Sequence, residues 1–436
     1  MNRDFSDIPF KPSSLPFFYG WVIVGVGAVG VVMSVPGQTI GVGVFTESLS
    51  STLDVSRNTL SRAFLFGTLV SSILLPFAGT LIDRFGGRVM AVLSALMLGL
   101  ACFAMSELES LMVFAGKYGM SFVTLCGCFL FLRFAGQGCL AMSSRVTMAR
   151  WFEHRRGIAA SLSGVIVSFG FNIYPEPVGE MVKRLGWSQT YLIFALIVGV
   201  GMSLLALIFF RDNPEQCGLH TDGANYEKIR SKTKIHDVEY DFTKRQAIKT
   251  YEFWIYTIGM SLSAMILTAV SFSTESIGAA AGLTASEAFG LYLPMSMFSV
   301  ASNLIGGYVS DHVKMKPIFL LYLVSLAIGI YGIANWRSPC GRFLFVAGFG
   351  TSRGLFNMLR NVAWPRFFGR KHLGAVNGLT SSMIVMFTSI GPWGVGKFQE
   401  ISAGSYRPVF LSMTALPVVL FVLALFTGNP QDKIHT

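Results

Sequence analysis

Long apolar runs separated by short polar ones fill most of the chain, and the runs are longer than a buried helix of a soluble domain needs. Residues 20–35, 90–105 and 191–210 carry no charged side chain and approach or reach the length that crosses a bilayer. Hydrocarbon offers no water to satisfy backbone N–H and C=O groups, so such runs must fold as helices. The pattern predicts twelve helices, at roughly 18–45, 57–82, 88–106, 121–150, 156–181, 187–210, 251–280, 284–310, 316–335, 340–366, 372–398 and 406–428. The longest polar stretch, 211–250, holds RDNPEQCGLHTDG and then EKIRSKTKIHDVEYDFTKR, and it divides the runs six and six. A segment this charged stays out of the bilayer and reads as a linker with a short surface helix. The fold expected is therefore an all-α membrane protein: a six-helix bundle over 1–211, a linker over 212–250 and a second six-helix bundle over 251–436.

Composition agrees, with 52% hydrophobic residues against 13% charged, too little charge to cover a soluble domain of 436 residues. The formal net charge of +11 would suggest nucleic acid if the cations were clustered, but their distribution follows topology. With the N-terminus inside, cytoplasmic segments hold 21 of the 34 Lys and Arg and outer segments hold 8. The remaining five (Arg62, Arg133, Arg145, Arg353, Arg360) lie within helices. This positive-inside bias places both termini in the cytoplasm and removes the argument for a nucleic-acid partner. The polar N-terminus precedes a first helix too long for a cleaved signal region. No Asn-x-Ser/Thr sequon occurs, in keeping with a bacterial inner membrane. The six Cys show no metal-ligand spacing, and neither a cofactor nor a metal is expected. There is also no nucleophile–base pair, metal cluster or phosphate loop that would make an enzyme.

The halves repeat. Thr46-Glu47-Ser48 recurs as Thr274-Glu275-Ser276, and Gly79-x-x-x-Asp83 as Gly307-x-x-x-Asp311, both displaced by 228 positions. Gly157 matches Gly374, Pro175 matches Pro392 and Gly179 matches Gly396, each displaced by 217. Constant displacements at equivalent places in the helix order point to parallel six-helix repeats, with a substrate site expected between the halves.

Gly79-Thr-Leu-Ile-Asp83-Arg84-Phe-Gly86-Gly-Arg88 joins the second and third helices. Asp83 can sit at the positive start of a neighbouring helix, while Arg84 and Arg88 call for carboxylate partners, Glu153 among the candidates. The string resembles the loop signature G-x-L-x-D-R-x-G-x-R/K of the major facilitator superfamily, a class of secondary transporters. The resemblance implies a cytoplasmic latch that stabilises the outward-facing state and releases as the halves rock. The second copy, Gly307-Tyr-Val-Ser-Asp311-His-Val-Lys314, lacks the Arg after Asp and predicts a looser latch.

Arg133 lies about 25 Å from Arg150 along the fourth helix, which puts it inside the membrane, where an isolated cation must meet a partner or a wet cavity. Arg133-Phe-Ala-Gly136-Gln137-Gly138 resembles the superfamily's fourth-helix motif R-x-x-Q-G, shifted by one place. Arg353 sits at similar depth on the tenth helix, followed by Asn357 and Arg360. The resemblance places the fourth and tenth helices along the pathway, so Arg133 and Arg353 can converge on an anion; equally, either can bond carbonyls at a bundle interface. Gln38, after the helix-loosening Pro36-Gly37, and Asn172 at mid-depth on the fifth helix are candidates to orient a polar ligand, as are Gln137 and Asn357. Glu47 and Glu275 fall near outer helix ends, where ion pairs with Arg57 or Arg62 would form an outer gate.

Phe18-Tyr19-Gly20-Trp21, Pro214-Glu215-Gln-Cys-Gly218-Leu219 and Phe253-Trp254 resemble the monocarboxylate and oxalate/formate branch of that superfamily. This implies small organic anions as substrates; movement with a proton or against a counter-anion, by a monomer, is expected alongside it. The branch's basic residue on the eighth helix has no counterpart here, since 289–310 carries no charge. Two other functions stay open: an exporter of hydrophobic or cationic compounds, and a non-transporting sensor on the same scaffold.

Overall fold

The computed structural model describes residues 8–223, 238–401 and 405–433. The side chains of Arg57, Pro392 and Gly396, and linker residues 224–237, lie outside the described residues. Among the described residues the regular structure is helical, and ten helices are long and apolar enough to cross a membrane. Two more segments complete twelve spans. The first is split into Gly20–Met33 and Thr39–Thr52, so neither piece alone is long enough. The tenth, Pro339–Phe368, has 30 residues but carries Arg342, Arg353, Arg360 and Arg366, which lower its hydropathy. The chain is an integral, multi-pass membrane protein.

The second to sixth spans are Arg57–Phe85, Gly87–Ser106, Ser121–Arg133 continuing to Trp151, Arg156–Ile173 with Pro175–Leu185, and Trp187–Leu196 continuing to Phe209. The seventh is Tyr251–Ala280, the eighth Ala285–Gly290 with Tyr292–Ser310, and the ninth Met315–Ala334. The eleventh and twelfth are Leu373–Ile401 and Arg407–Ala424. A short helix the pattern did not predict, Leu108–Gly116, precedes the fourth span. Within the linker a four-residue helix, Lys244–Ala247, is closed by a capping box between Thr243 and Gln246.

Residues group into two compact units. One comprises Met1–Phe152, Ile166–Tyr226 and His372–Ser382; the other comprises Glu153–Val165, Glu227–Lys371 and Met383–Thr436. Relative to the six-and-six division along the chain, the start of the fifth span joins the second unit and the start of the eleventh joins the first.

Two local departures from α-helical geometry position the interior polar residues of the first unit. Pro36 and Gly37 interrupt the first span, where a 3-10 turn over Val35–Gly37 replaces regular bonding. The fourth span carries a π-helical stretch over Phe134–Leu140. The two departures nest against each other. A Cβ on Gly136 would lie 2.9 Å from the Gly37 Cα and 2.9 Å from the Ser34 carbonyl oxygen, so only glycine permits this approach.

Candidate functional site

The break in the first span leaves the Gly37 carbonyl outside the helical ladder, and Arg133 takes it up. The Arg133 side chain is almost fully buried, at 2% relative exposure. Its Nη1 donates to Gly37 O at 3.1 Å and to Thr39 Oγ1 at 3.3 Å, and the guanidinium lies 4.9 Å over the Phe64 ring. Arg133 makes no ion pair among the described residues, and its Nε is buried without a hydrogen-bond partner. Gln137, four residues on along the π-helical stretch, has a buried Oε1 that is likewise without a partner. Gln38 is half-buried and donates from Nε2 to Ser34 Oγ at 3.1 Å, bridging the break. Arg133, Gln137, Gln38 and Thr39 thus gather around the junction of the first and fourth spans. Asn172 stands apart from them, exposed and without a hydrogen bond from its side chain among the described residues.

In the second unit Arg353 is half-buried and makes neither a hydrogen bond nor an ion pair among the described residues. One turn on, the half-buried Asn357 accepts at its carbonyl oxygen from Asn361 Nδ2 at 2.9 Å. Asn361 Oδ1 is buried without a partner.

The two signature aspartates have matching surroundings. Asp83 accepts from the backbone N–H groups of Gly374 at 2.8 Å and Ala375 at 2.7 Å, at the start of the eleventh span. Asp311 accepts from those of Gly157 at 2.8 Å and Ile158 at 3.1 Å, at the start of the fifth span. Each carboxylate therefore sits on the positive end of a helix, with two first-turn donors satisfied. Each also has one arginine: Arg150 Nη2 lies 2.7 Å from Asp83, and Arg366 Nη2 lies 2.6 Å from Asp311. The glycines follow suit, because a Cβ on Gly79 would strike the Gly374 carbonyl and one on Gly307 would lie against Gly157. The contacts around Asp311 are accordingly as complete as those around Asp83, where the second signature string led to the expectation of a looser set. The arginine missing after Asp311 leaves this network intact, because each aspartate takes its arginine from the end of the fourth or tenth span while Arg84, the residue after Asp83, is exposed. Burial pushes the Asp311 carboxyl above the usual carboxylate range, while Arg366 and the two N–H groups pull it back.

The remaining signature residues divide. Gly86 adopts a φ of +87° and a Cβ there would strike the Asp212 carboxylate, two conditions that favour glycine. Asp212 accepts from the Arg88 N–H at 2.8 Å. Burial raises its pKa, against the pull of those N–H donors and of Arg150 and Arg88. The Arg88 guanidinium, a candidate for a carboxylate partner such as Glu153, donates to two backbone carbonyls, Leu207 O from Nε at 2.9 Å and Ile8 O from Nη2 at 2.7 Å. Arg84 is exposed and its guanidinium lies 5.4 Å over the Phe85 ring. Among the described residues Glu47, Arg62 and Glu275 are exposed and none of them makes a salt bridge, while the Arg57 side chain expected at the same gate lies outside those residues. At such positions water screens the attraction and the entropy of pinning long side chains prevails.

Sequence reasoning missed Arg150, Arg366 and Asp212. The two arginines lie where the positive-inside rule already expects cations, so nothing marked them as partners. Spacing carried a signal, since each arginine precedes its half's repeat glycine, Gly157 or Gly374, by seven or eight positions.

The model of the Major Facilitator Superfamily matches residues 26–392, so the chain belongs to that family. It is 21% identical over 294 residues to an oxalate:formate antiporter of Oxalobacter formigenes, covering 65% of this chain and 63% of that protein. The match thus spans just under two thirds of that relative's length. Over a shorter stretch of 170 residues it is 29% identical to human monocarboxylate transporter 6, covering 37% of this chain and 31% of that one. Among solved structures it superposes on the proton:xylose symporter XylE with a TM-score of 0.66 at 14% identity, covering 94% of this chain and 95% of the other. At that identity the likeness speaks for the fold alone.

Proposed function

We propose that this member of the superfamily is a secondary transporter that moves a small organic anion, such as a monocarboxylate, by alternating access. On this reading it sits in a bacterial inner membrane with both termini cytoplasmic. The observation that carries the proposal is Arg133: a buried cation with no carboxylate partner, bonded on one side only and leaving Nε unmatched. A buried charge left unpaired is costly, and an anionic ligand is the group that would relieve it. Arg353, half-buried and without an ion pair in the other unit, supports the same class of ligand. The similarity to an oxalate:formate antiporter and a monocarboxylate transporter agrees with it. The aspartate caps act in this scheme as latches that hold one state of the cycle. The coupling species is a proton or a counter-anion.

The test is ligand-dependent thermal stabilisation of the purified protein in detergent, with monocarboxylates, dicarboxylates, neutral solutes and lipophilic cations on wild type and Arg133→Gln. A ligand present at about 100 times its Kd stabilises by about 2.7 kcal/mol, an effect large enough to read. Stabilisation by a carboxylate that vanishes in Arg133→Gln is expected. Stabilisation by cations or neutral compounds, unchanged in the variant, would leave Arg133 a structural residue and sink the proposal.

A further inference from the structure

The fifth and eighth spans meet a second time about 12 Å along the eighth from Asp311. Asn303 Nδ2 donates to Ser161 O at 3.0 Å, and Ser161 Oγ donates to Asn303 O at 2.6 Å. Both residues are buried. A Cβ on Gly164 would lie 2.6 Å from Asn303 Nδ2, so glycine there admits the amide. The amide is only half matched, because Oδ1 is buried and meets no donor among the described residues. The repeat does not require any of this. Its displacements of 228 and 217 carry Asn303 back to Leu75 and Ser161 on to Gly378. That pair packs as closely, since a Cβ on Gly378 would lie 2.7 Å from Leu75 O, yet neither side chain can form a hydrogen bond.

Leucine branches at Cγ as asparagine does and would fill position 303 with no polar atom left over. As packing, asparagine is therefore the poorer choice, because a buried acceptor without a donor carries a desolvation cost. It suits a contact that opens: once the spans part, water reaches both ends of the amide. Along the sequence Ser161 belongs to the first six-helix half and Asn303 to the second, so a rocking of the halves parts them. Resting on the alternating-access reading above, we infer that Asn303 is a release point, a positioning residue that makes the contact of the fifth and eighth spans easier to open than an apolar one. The Ser161 hydroxyl acts in the opposite sense. Its bond to Asn303 O is complete and holds the contact closed.

The experiment measures distances between spin labels at positions 162 and 305 of the full-length protein in lipid nanodiscs. Leu162 and Ile305 are exposed, and Cys126 and Cys340, the cysteines that are not buried, are replaced by serine in every protein compared. A closed contact gives the shorter distance and an open one the longer, and the ratio of the two populations is the readout. Ser161→Ala is expected to shift that ratio about threefold toward the longer distance, the worth of one hydrogen bond between helices. Asn303→Leu, made in the unaltered protein and in Ser161→Ala, is expected to shift it about tenfold toward the shorter distance, the effect of removing one buried unmatched acceptor. Asn303→Met, whose flexible chain fills irregular gaps, is read in its place if the leucine variant does not fold. Two populations whose ratio stays the same in Asn303→Leu, or moves toward the longer distance, overturn the release point. Asn303 would then be an ordinary tie between helices, and alternating access would stand. A single distance in all of these proteins overturns alternating access and the release point together.

Discussion

Asp311 and Arg366 show relative side-chain exposures of 4% and 3%, so their attraction acts where water screens it poorly. Removing one partner of such a pair leaves an uncompensated buried charge, which costs about 3–5 kcal/mol. Arg366→Gln is therefore expected to lower the melting temperature in detergent sharply at neutral pH. The deficit should depend on pH in a definite direction. Burial already raises the Asp311 pKa, and losing the arginine, which pulls it down, raises it further. A carboxyl whose folded pKa exceeds its unfolded value contributes stability that is fully present below the unfolded pKa. That contribution is lost as pH rises through the folded pKa. The gap between Arg366→Gln and wild type should thus narrow as the pH is lowered, because Asp311 takes up a proton and no longer needs its partner. A gap that stays constant across the acid range would mean that Asp311 is not the group left stranded. At this scale the sequence announces depth better than pairing. That Arg133 lies inside the membrane follows from counting residues along a helix. That it takes the carbonyl freed at Gly37 depends on a backbone break whose direction no spacing rule specifies.

Helical breaks decide the geometry at the next scale. The pattern predicts one helix over 18–45 and a loosening at Pro36-Gly37, and the chain forms two helices that together reach Thr52. The π-helical stretch in the fourth span had no signal of its own, because apolar periodicity over seven residues does not distinguish it from an α-helix. Gly37 and Gly136 mark the junction, where the backbones approach as side chains would not allow. Adding one methyl group here forces the spans apart, so Gly136→Ala is expected to cost about 1–3 kcal/mol of stability. It should also weaken carboxylate binding, since the junction orients Arg133. Gly43 serves as the control: a Cβ there meets nothing within 4 Å, and a helical Gly→Ala change gains about 0.5–1 kcal/mol. Melting curves of the two variants with and without ligand check both statements. Equal behaviour of Gly136→Ala and Gly43→Ala would show that the junction tolerates separation.

Over the whole chain, the repeat that was legible as two constant displacements, 228 and 217, reappears as chemistry. The first displacement relates Asp83 to Asp311, and the second relates the helix starts they cap, Gly374-Ala375 and Gly157-Ile158. The acid of each half therefore caps a helix that belongs, along the sequence, to the other half. This exchange was not legible, because a displacement pairs equivalent positions and does not say which copy touches which. Arg150 and Arg366 complete the symmetry despite the decay of the second signature string. If both caps hold one state of a transport cycle, losing either should bias the cycle by a similar amount. A hydrogen bond to a charged group contributes about 1.5–3 kcal/mol, which shifts a two-state equilibrium roughly 10- to 150-fold. Asp83→Asn and Asp311→Asn keep the side-chain shape and lose the charge, so both are expected to cut flux in proteoliposomes by about tenfold or more while ligand binding persists. An Asp311→Asn protein that transports normally beside a defective Asp83→Asn would make the second cap a packing feature. Its completeness would then be inherited from the repeat and not required by the cycle.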